Sequence, residues 1–149
     1  VPQIDVIPAA PDDRVVLERL LELYSYDFSE IVGSDVDDQG IYGYRSLDLY
    51  WTEPERSPFL IRVDGHWAGF ALVRAGEPHD MAEFFIMRKY RRSAIGRTAV
   101  VNIISRFPGR WQIRQVPANQ QAIEFWRTVI PAEFEESLID GFVTQRFTV

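Results

Sequence analysis

The chain has 149 residues, a net charge of −6 and no cysteine. That length supports one domain, residues 1–149, with a substantial core, and 46% apolar residues exclude a disordered chain. The missing cysteines exclude a disulfide framework, a thiolate metal site and a cysteine nucleophile. The negative charge argues against a nucleic-acid partner.

In chain order, Gln3–Ile7 reads as a short strand between Pro2 and Pro8. Ala10-Pro11-Asp12-Asp13 opens a helix, with proline near the first position and acids in the first turn. Val16, Leu17, Leu20, Leu21, Leu23, Tyr24 and Phe28 form its apolar stripe, which predicts a helix over Arg14–Phe28. Residues 33–43, with three glycines and three aspartates, predict a loop, and Arg45–Trp51 predicts a second short helix. Phe59–Val63 and His66–Arg74 flank Asp64-Gly65, a hairpin signal because both turn positions need positive φ. The Gly76–Asp80 loop leads to a strand over Met81–Arg88. A helix is expected over Arg97–Phe107, stopped by Pro108-Gly109, then a strand over Arg110–Val116. Asn119 caps a helix over Gln120–Val129, and Glu133–Ile139 and Phe142–Val149 form a last hairpin about Asp140-Gly141. The order is β-α-α-β-β-β-α-β-α-β-β. It predicts an α/β mixture around a central, mostly antiparallel sheet.

The chemistry concentrates where the Met81–Arg88 strand runs through a basic loop into a helix. The first N–H groups of a helix lack partners within it and carry partial positive charge. Small residues there let a phosphate approach. Ser93, Ala94 and Gly96 are small, and Arg91, Arg92 and Arg97 add charge. The segment Arg91-Arg92-Ser93-Ala94-Ile95-Gly96 resembles the Arg/Gln-x-x-Gly-x-Gly/Ala signature of the GNAT superfamily of N-acetyltransferases. Ala94 stands at the usual first glycine, so it must keep φ negative. Asn119-Gln120-Gln121-Ala122-Ile123-Glu124-Phe125-Trp126 resembles the family's Asn-x-x-Ala-x-x-aromatic helix. The two motifs fall in the family's order, and the elements match its fold over nearly the whole chain.

The resemblance implies an acetyl-CoA co-substrate and an amine acceptor. Backbone N–H groups from Arg92 to Arg97, including those of Ser93, Ala94, Ile95 and Gly96, would hold the pyrophosphate, with Arg91 as a side-chain contact. A bulge in the motif strand would expose backbone groups around Ile86, Met87 and Arg88 to the pantetheine. The Arg110–Val116 strand would splay away to open a slot. Asn119, Phe125 and Trp126 would line the coenzyme; for either aromatic the competing reading is core packing. Trp126 stands where the family often has a tyrosine that protonates the thiolate, and indole is no acid at such pH.

Glu83 is the candidate base, the one carboxylate within an otherwise apolar strand. Burial would raise its pKa. The alternative is a structural carboxylate facing solvent or an arginine. Gln112 sits where some relatives carry a catalytic glutamate. His66 and His79 read as surface residues at turns, and Asp35-x-Asp37-x-Gln39-Gly40 fails the calcium-loop pattern at Ser46, so no metal is expected. Absence of a long apolar run or signal-like start predicts a cytoplasmic chain with no membrane contact. Edges of the final hairpin offer a way for two copies to pair. The acids and aromatics of Asp35–Trp51 suit a cationic acceptor, although most of those aromatics are expected in the core. An alternative at the level of function is a non-catalytic acyl-CoA-binding or regulatory protein on the same fold.

Overall fold

The computed structural model describes residues 1–149. Seven strands form one sheet: β1 (Ile4–Pro8), β2 (Arg56–Val63), β3 (His66–Arg74), β4 (His79–Ile86), β5 (Arg110–Gln115), β6 (Phe134–Ile139) and β7 (Phe142–Thr148). Their spatial order is β1-β2-β3-β4-β5-β7-β6. All neighbours are antiparallel except β4 and β5, which meet in parallel at His79–Trp111 and Asp80–Gln112. Three helices complete the chain: α1 (Arg14–Val32), α2 (Ile95–Ser105) and α3 (Gln120–Val129). No helix is long and apolar enough to cross a membrane.

Strand alternation sends side chains to opposite faces of the sheet, and each face has its own core. On one face, Ile61, Val73, Met81, Ile86 and Trp111 pack against Ile95, Ala99, Ile103, Trp126 and Val129 of α2 and α3. On the other, Leu60, Phe70, Leu72 and Phe85 pack against Leu17, Leu20 and Leu21 of α1, closed by Leu47 and Tyr50. The aromatic loop therefore does supply core, as its composition predicts.

The expected mixed, mostly antiparallel sheet is the observed one. Both hairpin turns form as predicted, with φ of 49° and 80° at Asp64 and Gly65, and 51° and 83° at Asp140 and Gly141. Several boundaries differ: β2 begins at Arg56 rather than Phe59, other strand ends shift by a residue, and four changes bear on the site. The first helix continues to Val32 and ends on left-handed Gly33, because the apolar stripe is not what stops it. The second predicted helix is only a 3-10 turn, Leu47–Trp51. The motif strand starts at His79 and stops at Ile86; Arg88–Tyr90 forms a separate 3-10 turn. The motif helix starts at Ile95, earlier than its apolar pattern predicts.

His79 is half-buried rather than a free surface residue. Its Nδ1 accepts the Gly76 N–H at 3.0 Å, so its Nε2 carries the proton donated to the Pro108 carbonyl at 2.9 Å. The ring packs against Phe107 and Trp111 and joins two turns.

Candidate active site

After Asp80, β4 and β5 diverge. The β5-facing edge of β4 then has no strand partner, and a cavity of about 230 Å³ opens between the strands. Its walls include Asp80, Ala82 and Glu83 from β4, Arg114 from β5, and Asn119 and Trp126 at the start and middle of α3. The expected splay is thus present. Opposite, the β3–β4 ladder slips one residue: Leu72 pairs with Glu83 and Val73 with Met81, leaving Ala82 as the bulge. A bulge re-aims the side chains beside it. Here Glu83 lies immediately after the extra residue, on the α1 face.

Glu83 is half-buried, and its Oε1 accepts a hydrogen bond from the Tyr24 hydroxyl at 3.0 Å. Desolvation raises its pKa to about 7, against the Tyr24 hydrogen bond and the nearby Tyr44 hydroxyl, which lower it; the nearby Asp80 charge adds to the rise. The carboxylate neither points to open solvent nor pairs with an arginine. The same burial, then the Glu83 charge, holds the Tyr24 hydroxyl above its usual range. Asp80 is also raised by desolvation, against Arg114 and Arg74. Its contact with Arg114 is long, 3.5 Å, and its Oδ1 has no partner.

The phosphate-type loop sits at the far end of β4. Ala94 has φ −73°, so alanine is accommodated where a glycine was expected. Arg92 takes the left-handed conformation, φ 58°, instead. The N–H groups of Gly96 and Arg97 donate to nothing in the chain, while Ile95 N–H reaches the Ser93 hydroxyl only at 3.5 Å. Ser93, Ala94 and Arg97 are exposed around these donors. Such a helix start, with small side chains on its open side, fits a pyrophosphate.

Two details change the sequence reading of this loop. Gly96 is buried, and a Cβ there would lie 2.9 Å from Phe125 Cε1. Its smallness serves α2–α3 packing; Ser93 and Ala94 keep the approach open. Arg88 and Arg91 are engaged rather than free. Both donate to Asp27 of α1, at 2.6 and 2.7 Å, and Arg91 Nε also donates to the Ile86 carbonyl at 2.7 Å. Burial works to raise the Asp27 pKa, but these hydrogen bonds hold it below the usual range. Met87 turns away from the slot edge, its N–H donating to the Ala68 carbonyl and its side chain packing on the α1 face.

The second motif forms the expected Asn119-capped helix. The Asn119 side chain caps α3, accepting from the Ala122 N–H at 3.1 Å, and its residue lines the slot. Phe125 stacks on Phe84, and Trp126 meets both rings edge-on. Trp126 is buried in the core and also lines the slot, so the two readings of that residue coexist. Gln112 pairs in register with Asp80 but lines a different groove, with Arg110 and Arg146. Sequence reasoning missed Tyr24 and Asp27 as parts of the site, whereas Tyr44 belongs to the Asp35–Trp51 segment it set against the acceptor. A hint existed for Tyr24, since a tyrosine on a buried helical stripe needs a hydroxyl partner.

A family model for the GNAT acetyltransferases matches residues 17–129, three-quarters of the sequence, running from within α1 to the end of α3. The chain belongs to the GNAT family. A search of curated proteins finds no match. Among solved structures, an acetyltransferase from Thermus thermophilus superposes with a TM-score of 0.80 at 17% identity, covering 99% of this chain and 97% of that one. The PaiA N-acetyltransferase from Thermoplasma acidophilum, solved with coenzyme A, gives 0.72 at 11% identity, with 99% of both chains covered. An aminoglycoside acetyltransferase from an uncultured soil metagenome, in complex with sisomicin, gives 0.68 at 14% identity over 91% and 92%. At such identities the likeness shows the GNAT fold, which the motif loop and capped helix already imply.

Proposed function

We propose that this chain, as a single domain, is an acetyl-CoA-dependent N-acetyltransferase acting on a primary amine, with Glu83 as the base. The observation that carries the reading is the Glu83 carboxylate, held beside a bulge at the opening between β4 and β5 and raised to about 7. A base works best when its pKa lies near the operating pH. An amine arriving as an ammonium must lose a proton before it attacks, and Glu83 would accept it. Acetyl-CoA supplies the activated thioester. The free N–H groups of Gly96 and Arg97 would hold its pyrophosphate, and Asn119, Phe125 and Trp126 would border its path.

The acceptor is read as a cation. The net charge is −6, and Asp35, Asp37 and Asp38 are exposed on the loop that carries Tyr44. Such a rim concentrates cations, less so as salt screens it. Asp37 also holds its own turn, accepting from the Gln39 and Ile41 N–H groups at 2.8 and 3.0 Å, so Asp35 and Asp38 are the cleaner positions for charge reversal.

The test is thiol release from acetyl-CoA over a panel of amines, for wild type and Glu83→Gln. The variant is expected to lose about a hundredfold or more in turnover, with acetyl-CoA affinity by calorimetry unchanged. Coenzyme binding without turnover on any amine would instead favour the acyl-CoA-binding, non-catalytic protein. Equal turnover in the two proteins would remove Glu83 from the mechanism.

A further inference from the structure

Resting on the assignment of Glu83 as base, we propose that Tyr24 is its positioning residue: the α1 hydroxyl fixes one carboxylate oxygen and leaves the other to take the substrate proton. Tyr24 Oη donates to Glu83 Oε1 at 3.0 Å, across 59 residues of sequence. The ring is fixed on three sides. It stacks on Phe28 at a centroid distance of 5.9 Å, meets Phe70 edge-on at 5.6 Å and tilts against Phe85 at 5.6 Å. A phenol clamped in this way has little freedom beyond rotation of its O–H. A carboxylate with one oxygen tied to it loses most of its own rotamer freedom.

The bulge makes the contact necessary. With Ala82 as the extra residue, Glu83 projects onto the α1 face among Phe70, Leu72 and Phe85. An ionised carboxylate there, without a donor, would leave both oxygens poorly solvated. The charged and titratable groups near it are Tyr24 from α1, Tyr44 from the loop between α1 and β2, Tyr50 from the Leu47–Trp51 turn, and Asp80 from its own strand; Arg56 sits beyond Tyr50, and Arg114 and Arg74 beyond Asp80. Tyr24 makes the direct 3.0 Å bond. Hydrogen bonding to the charged form lowers a carboxylate's pKa, so Tyr24 opposes the rise caused by burial. It thereby keeps the base partly ionised near neutral pH.

Tyr24→Phe keeps the ring packing and deletes only the donor. The expected result is a drop of about tenfold in kcat/KM at pH 7. The acid limb of the pH profile should move to higher pH by about one pH unit. The acetyl-CoA KM should not change. In a Glu83→Gln background the same substitution should cost little more, because the group it positions is gone. A Tyr24→Phe protein with lowered thermal stability but an unmoved acid limb would reduce Tyr24 to packing and overturn the proposal. If Glu83→Gln itself leaves turnover and the acid limb intact, the failure belongs to the base assignment instead, and the Tyr24 proposal falls with it. Independent losses in the double variant would also overturn the proposal, since they deny that Tyr24 acts through Glu83.

Discussion

The sheet behaves differently on the two sides of β4. Toward β3, the ladder runs from Gly69–Ile86 to Arg74–Asp80, interrupted only at the Ala82 bulge. Toward β5, it ends after two positions. The first side is apolar and tightly closed. The second holds a cavity with two carboxylates of raised pKa, Glu83 and Asp80. Backbone pairing that would stabilise a continuous sheet is given up at the cavity, where the proposed acyl donor and acceptor would meet. The closed side supplies the rigidity that keeps the open side in shape. Glu83 belongs to both, since its backbone is in the closed ladder and its side chain reaches the open cavity.

The largest effect should come from disturbing the closed side. Gly69 of β3 sits hard against β4, and a Cβ there would stand 2.0 Å from the Phe85 carbonyl oxygen. That oxygen is backbone and cannot swing away. Gly69→Ala is expected to destabilise the protein by about 3 kcal/mol or more, read by chemical denaturation. An unchanged midpoint would mean that the two strands separate easily, and the contrast between the sides would be lost.

The open side predicts an opposite sign. The folded pKa of Glu83 is raised from 4.5 to about 7. Its contribution is therefore most favourable below the unfolded value and is lost as pH rises through about 7. That displacement corresponds to up to about 3 kcal/mol at about 1.4 kcal/mol per pH unit. Glu83→Gln should melt higher than wild type at pH 8 and lose that advantage at pH 5. A site residue whose removal stabilises the fold is one retained for chemistry.

A smaller effect belongs to the phosphate loop. Ser93 is exposed beside the unpaired N–H groups of α2. A carboxylate at a helix start favours the helix but repels a phosphate. Ser93→Asp should keep or raise thermal stability while weakening acetyl-CoA by about tenfold. This variant is cleaner than Gly96→Asp, whose side chain would also meet Phe125. Unaltered affinity in calorimetry would remove the α2 start from the coenzyme site.

Much of this arrangement is legible in the sequence, for identifiable reasons. Asp-Gly turns and the Asn119 cap are local signals and form where they were read, and the small basic loop does lead into a helix, which starts two residues earlier, at Ile95. Glu83 is conspicuous as the one carboxylate of the predicted Met81–Arg88 run, although the observed strand begins at His79 and so also holds Asp80. What escapes is long-range. Asp27 meets Arg88 and Arg91 across 61 and 64 residues, and no spacing rule connects them. Tyr24 meets Glu83 across a similar gap, through a bulge whose exact position depends on register with β3. The Gly96 packing against Phe125 links two motifs that, read separately, both point to the coenzyme.

The most direct measurement needs no knowledge of the acceptor. It is the titration of the Glu83 side-chain carboxyl by carbon-13 NMR, with Glu83→Gln identifying the resonance. A midpoint at about 7 is expected, with the signal moving on Tyr24→Phe. A midpoint in the ordinary glutamate range, around 4.3, would contradict the account, because a fully ionised, solvated carboxylate is not the desolvated base proposed for the open side of β4.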